Sequence, residues 1–81
     1  MKRIGVIGIV IQDKEIAVEL QKLLSEFSDI IIGRMGVPRE NVSSISLIVE
    51  GTTERISALT GKLGKMKLTV KSAITSYEVK E

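Results

Sequence analysis

Residues 3–27, RIGVIGIVIQDKEIAVELQKLLSEF, change their hydrophobic period halfway along, and that change decides the fold. From Arg3 to Gln12 the stretch is mostly Ile and Val, broken by Gly5 and Gly8. β-Branched side chains suit a pleated surface, and an almost continuous apolar run describes a strand covered on both faces. A glycine inside such a strand marks the close approach of another group. From Asp13 onward Ile16, Ala17, Leu20, Leu23, Leu24 and Phe27 recur at helical spacing and form one stripe. Asp13 is in place to cap that helix. Lys14, Glu15, Glu19, Lys22 and Glu26 fall on its other sides, and Ser28 and Asp29 close it.

The same strand-to-helix change recurs further on. Ile30 to Val37 reads as a second strand, Pro38 to Asn41 as a turn, and Val42 to Glu50 as a third strand. In the third, Ile45, Leu47 and Val49 alternate with Ser44, Ser46 and Ile48. Gly51, Thr52 and Thr53 open a second helix, either Thr being able to cap it, with Glu54 favourably placed in its first turn. Ile56, Leu59, Thr60 and Leu63 make its inner stripe, and Gly64 stops it. A last strand spans Lys67 to Thr75, with the residues after Thr75 expected to fray.

Two strand–helix–strand halves in 81 residues predict a single domain over residues 1–81. Its class is α+β, a ferredoxin-like βαββαβ sandwich: a four-stranded antiparallel sheet with both helices on one face. Right-handed crossovers place the first and third strands in the centre. Pro38 on the second strand, and Lys67 and Lys71 on the fourth, suit edges.

Two helices cover one face only. The first strand sets Ile4, Val6 and Val10 against Ile7, Ile9 and Ile11; the second sets Ile30 and Ile32 against Ile31, Met35 and Val37. Whichever set faces the helices, the other leaves an apolar patch larger than monomers usually expose. The expected cover is a second copy, in a homodimer or homotetramer. A chain this short also gains most from a partner, because it buries only about 60% of its unfolded surface. It has no Cys for a disulfide.

The composition narrows the chemistry. With neither Cys nor His, no triad, thiol nucleophile or soft metal site can be assembled, so no catalytic residue, metal or cofactor is assigned. The net charge of +2, with signs interspersed, and the single Phe and single Tyr argue against direct nucleic-acid binding. The apolar stretch Ile4–Ile11 follows Lys2 and Arg3 but ends at Gln12 and Asp13 without a cleavage site. It is also shorter than the roughly 20 residues that cross a bilayer. A cytoplasmic location without membrane attachment is expected.

Five residues are candidates for ligand binding. Gln12 and Asp13, and Thr52 and Thr53, lie where strands meet helix starts, whose free N–H groups suit a small polar or anionic ligand. Ordinary capping explains the same residues. Arg34, between Gly33 and Met35 in an apolar run, needs water, a carboxylate such as Glu50, another subunit's acid, or a ligand anion.

Gly33-Arg34-Met35-Gly36-Val37-Pro38, Ser44 to Val49, Gly51-Thr52-Thr53, Ala58 to Gly64 and Val70-Lys71-Ser72-Ala73, with the opening Lys2 to Val10, together resemble the regulators of the iron-only hydrogenase system. More distantly the chain is similar to the C-terminal domain of nickel-responsive repressors and to amino-acid-sensing, ACT-like domains. The resemblance implies a stand-alone oligomeric regulatory domain that acts through a partner protein. The nickel site does not carry over, because its His and Cys are absent. The alternative is a scaffold that holds another protein without a small-molecule ligand.

Overall fold

Strand β1 (Lys2–Ile11) alternates from end to end: Ile7, Ile9 and Ile11 are sealed, while Val6 and Val10 look the other way. The computed structural model describes residues 1–80. After β1, a 3-10 turn (Lys14–Ile16) leads into helix α1 (Ala17–Glu26), then β2 (Ile31–Pro38), β3 (Ser43–Thr52), helix α2 (Thr53–Gly64) and β4 (Thr69–Val79). The strands lie in the order β2-β3-β1-β4, every neighbouring pair antiparallel. The expected ferredoxin-like α+β topology, with β1 and β3 central, is the observed one.

The core is a single layer between sheet and helices. α1 and its leading turn contribute Ile16, Leu20, Leu23 and Leu24, and Phe27 follows. α2 contributes Ile56, Leu59 and Leu63, and the sheet contributes Ile7, Ile9, Ile11, Leu47 and Val49. Ala17, the first residue of α1, is exposed and does not belong to the buried stripe. Arg55 lies 4.3 Å over the Phe27 ring and pairs with Asp29 at 2.6 Å, tying the end of α1 to the start of α2. Gly51 is buried beside Ile30, where an added Cβ would come within 2.8 Å of the Ile30 side chain. Only glycine lets β3 turn into α2 against that residue.

Arg34, for which water, a carboxylate such as Glu50, another subunit's acid and a ligand anion were the alternatives, is exposed, and its guanidinium donates to Gln21 Oε1 on α1 at 3.2 Å. Two expectations about the strands change. The end of the chain does not fray at Thr75. Instead β4 continues to Val79, pairing Val79 with Lys2 and Glu78 with Arg3. Arg3 fastens this extension by donating to the Ser76 carbonyl (2.9 Å) and to Glu78 (3.4 Å), and the Thr75 hydroxyl donates to the Ile4 carbonyl across the register shift (2.7 Å). The second change is in β2. Ile31 opposes Val49 but Gly33 opposes Ile48, so Ile32 is an extra residue. A bulge of this kind breaks the alternation. Ile32, Met35 and Val37 therefore stand on one face together, not on opposite faces, and all three are exposed.

Thr52 accepts a hydrogen bond from the Arg55 N–H at 3.2 Å and is the N-cap of α2. Removing a hydroxyl cap costs about 1 kcal/mol. Thr52→Ala is expected to lower the unfolding free energy from urea titration by that amount, seen as a lower midpoint with an unchanged slope, whereas Thr52→Asp should restore it.

Candidate functional site

The face of the sheet away from the helices is bare. Cross-strand partners share a face, so the register lays this surface out in rows running β2, β3, β1, β4. One row is Val37, Ser44, Val10, Thr69; the next Met35, Ser46, Gly8, Lys71; the third Gly33, Ile48, Val6, Ala73. Beyond these, Glu50 and Ile4 continue the two central strands, flanked by Ile32. Tyr77, one residue before the Arg3–Glu78 pair, flanks them on β4. Val6, Val10, Ile32, Met35, Val37 and Ile48 are between 36% and 64% exposed. On a central strand such as β1, aliphatic side chains this open are left uncovered by the described residues.

The five candidate ligand residues fall in three places. Gln12 and Asp13 follow the end of β1. The Asp13 carboxylate accepts from the Glu15 N–H at 3.0 Å and caps the 3-10 turn. Thr52 and Thr53 lie at the other end of the sheet, since Thr52 is paired with Lys2 at the start of β1. A ten-residue strand at about 3.3 Å per residue separates the two ends by roughly 30 Å. Arg34 is at the β2 edge on the helix side, opposite Leu47. Within one chain the geometry thus joins Gln12 to Asp13 and Thr52 to Thr53, but not these pairs to each other or to Arg34.

Two recesses hold members of the set. Asp13 lines a groove of about 380 Å³ with Glu15, Glu19, Lys65 and Lys67, between the start of α1 and the turn after α2. Arg34 lines a smaller one of about 220 Å³ with Leu24, Ser25, Ser28 and Ile31. Lys65, Lys67 and the Arg34 partner Gln21 were not legible as site residues, because each comes from a segment distant in sequence and carries no motif. The carboxylates and amines around Asp13 form a polar, mixed-charge lining that suits a zwitterion or a polar anion better than an apolar ligand. Among the described residues no group of three or more His, Cys, Asp or Glu could hold a metal ion. None of their helices is long and apolar enough to cross a membrane.

The chain has known relatives. In structure it is similar to uncharacterized protein TM1266 from Thermotoga maritima, with 36% identity and a TM-score of 0.85, over 91% of this chain and 98% of that one. It is also similar to a "putative glycine cleavage system transcriptional repressor" (17% identity, TM-score 0.74, all of this chain but 50% of that one). A third is the ACT domain from the GTP pyrophosphokinase of Chlorobium tepidum (18% identity, TM-score 0.69, 95% and 90%). The last two likenesses establish the fold, ferredoxin-like with ACT-like neighbours. No curated protein matches the sequence. A family model described as "Iron-only hydrogenase system regulator, putative" matches residues 3–72, and the chain accordingly belongs to this TM1266-like family.

Proposed function

We propose that this protein is a non-enzymatic regulatory module of the cytoplasm that self-associates through its open sheet face. On this reading it takes up a small polar or anionic ligand and signals to an iron-only hydrogenase system through a partner protein. The observation that carries the reading is the bare face. Six apolar side chains there, spread over three strands, are arranged by a β2 bulge that adds Ile32, Met35 and Val37 to the patch. A bulge of this kind re-aims the side chains that follow it. The family's description as a regulator supports the functional half. ACT-like neighbours are consistent with ligand sensing. Gln12 and Asp13, with the lysines beside them, are the proposed ligand site, with Thr52, Thr53 and Arg34 as further candidates.

Thermal-shift screening against amino acids, nucleotides and divalent metal ions tests the ligand. A compound at 100 times its Kd adds about 2.7 kcal/mol to stability. In a domain of this size that raises Tm by roughly 10 °C or more. The expected hit is an amino acid or a polar anion, with the shift lost in Lys65→Ala/Lys67→Ala. A flat response to every class, together with stable capture of a defined hydrogenase-system protein, would replace ligand sensing by the scaffold reading.

A further inference from the structure

The open face is self-complementary in one particular arrangement, and its rows show which. In the two central rows each strand sets a large side chain beside a small one: Val6 and Gly8 on β1, Ile48 and Ser46 on β3, Met35 and Gly33 on β2, Lys71 and Ala73 on β4. Gly8 has no internal reason to be glycine. A Cβ added there would meet only the Lys71 carbonyl at 3.9 Å, an ordinary contact, whereas at Gly5 it would meet the Ala73 carbonyl at 3.2 Å and the Val49 side chain at 3.3 Å. Glycine in a strand interior destabilises it relative to alanine. The gap it leaves at Gly8 is on the open face, next to Ser46, in the centre of the patch.

We propose that a second copy seats on this face across a two-fold axis that runs perpendicular to the strands and crosses β1 between Val6 and Gly8. The inference rests on the self-association reading and adds its geometry. Under that axis each strand faces its own counterpart in reversed direction. Val6 enters the gap over Gly8 of the second copy, Ile48 lies over Ser46, and Met35 over Gly33. Ile4 meets Val10, Tyr77 meets Thr69, and the Glu50 carboxylate meets the Ser44 hydroxyl. Lys71 stays at the rim, opposite Ala73, where its amine reaches water. An axis along the strands does the reverse. Passing between β1 and β3, it stacks Val6 on Ile48 and Gly8 on Ser46, bulk on bulk and gap on gap in the two central rows, and forfeits contact at that central gap. Four strands at about 4.8 Å spacing and ten residues at about 3.3 Å make a face of roughly 600 Å² in projection, near the ~800 Å² of accessible surface that a standard interface buries on each side.

The arrangement also completes the candidate site. Position 12 of one copy falls beside position 2 of the other, so Gln12 and Asp13 of the first share one end of the dimer with Thr52 and Thr53 of the second. The two clusters that a single chain holds at opposite ends of its sheet become neighbours, twice over by symmetry.

The chain has no Cys, so single cysteines report cleanly. Thr69→Cys and Tyr77→Cys place thiols on exposed positions of the edge strand β4. The two variants are mixed, allowed to exchange subunits, and treated with a bismaleimide of about 10 Å, the spacing of packed sheets. The expected result is covalent dimer in the mixture and little in either variant alone, where like thiols are offset by about six residues, roughly 20 Å. Gly8→Val is expected to weaken dimerisation at least tenfold while leaving the circular dichroism spectrum unchanged. Cross-linking of Thr69→Cys to Val37→Cys would overturn the proposal in favour of the axis along the strands. A dimer by mass that gives no Thr69–Tyr77 product would overturn it in favour of an edge-strand interface. A monomer by mass would instead overturn the self-association on which it rests.

Discussion

Val6→Asp is expected to convert the protein to a folded monomer. Val6 is 43% exposed in the single chain, between Ile48 on β3 and Ala73 on β4, so the aspartate keeps one side in water when the chain is alone. The monomer then loses only strand propensity, on the order of 1 kcal/mol. In the associated form the same carboxylate is pressed between two sheets without a partner. Desolvating a polar group without a new hydrogen bond costs about 1–3 kcal/mol by mutational measures, and a charged group costs more. The two-fold axis imposes that cost twice. The sum is at least about 3 kcal/mol, a weakening of two orders of magnitude or more. Sedimentation velocity should show the variant at 8.9 kDa at concentrations where the parent is associated, with unchanged far-ultraviolet circular dichroism. Val18→Asp serves as the control. Val18 is 69% exposed on α1, away from the sheet, and its substitution should leave the mass as it is.

Leu59→Ala is expected to have the largest effect on stability. Leu59 is fully buried on α2, among side chains from the sheet and from α1. Truncating a leucine in such a core costs about 2.7–5 kcal/mol, the transfer of the lost methyl groups plus the cavity left behind. At 0.05–0.15 kcal/mol per residue, a chain of this length has roughly 4–12 kcal/mol in total. One substitution therefore removes between about a fifth and all of it. Urea denaturation should show the midpoint falling sharply. Both midpoints should rise with protein concentration, because an associated chain is stabilised by mass action, while the difference between parent and variant stays the same. Ser57→Ala, two residues earlier on the exposed side of the same helix, should lie within about 0.5 kcal/mol of the parent.

What could be read in the sequence, and what could not, separates along a physical line. Periodicity carries information about faces, so the stripe Leu20, Leu23, Leu24 and Phe27 and the alternation Ile45, Leu47 and Val49 led directly to the core. Antiparallel topology followed from the order of the elements. A bulge has no periodic signature, and one extra residue at Ile32 was enough to reverse the facing of Met35 and Val37. Likewise, the extension of β4 depends on Arg3 reaching Ser76 and Glu78, contacts between residues more than seventy apart in sequence. Arg34 was marked by its apolar neighbours, but its setting at a sheet edge beside Gln21 depends on which strand ends up outermost. The candidate ligand residues were found as helix starts. That local feature says where backbone N–H groups are free, not which helix starts come together.

The self-association at the centre of the functional reading requires the bare sheet face to be covered by a second copy. Light scattering coupled to size exclusion, on the unmodified protein from about 1 to 100 µM, measures this directly, since interfaces of standard size hold together at such concentrations. The predicted result is a particle of at least twice the 8.9 kDa chain mass across the range. A particle of 8.9 kDa that stays soluble at the highest concentration would contradict the account.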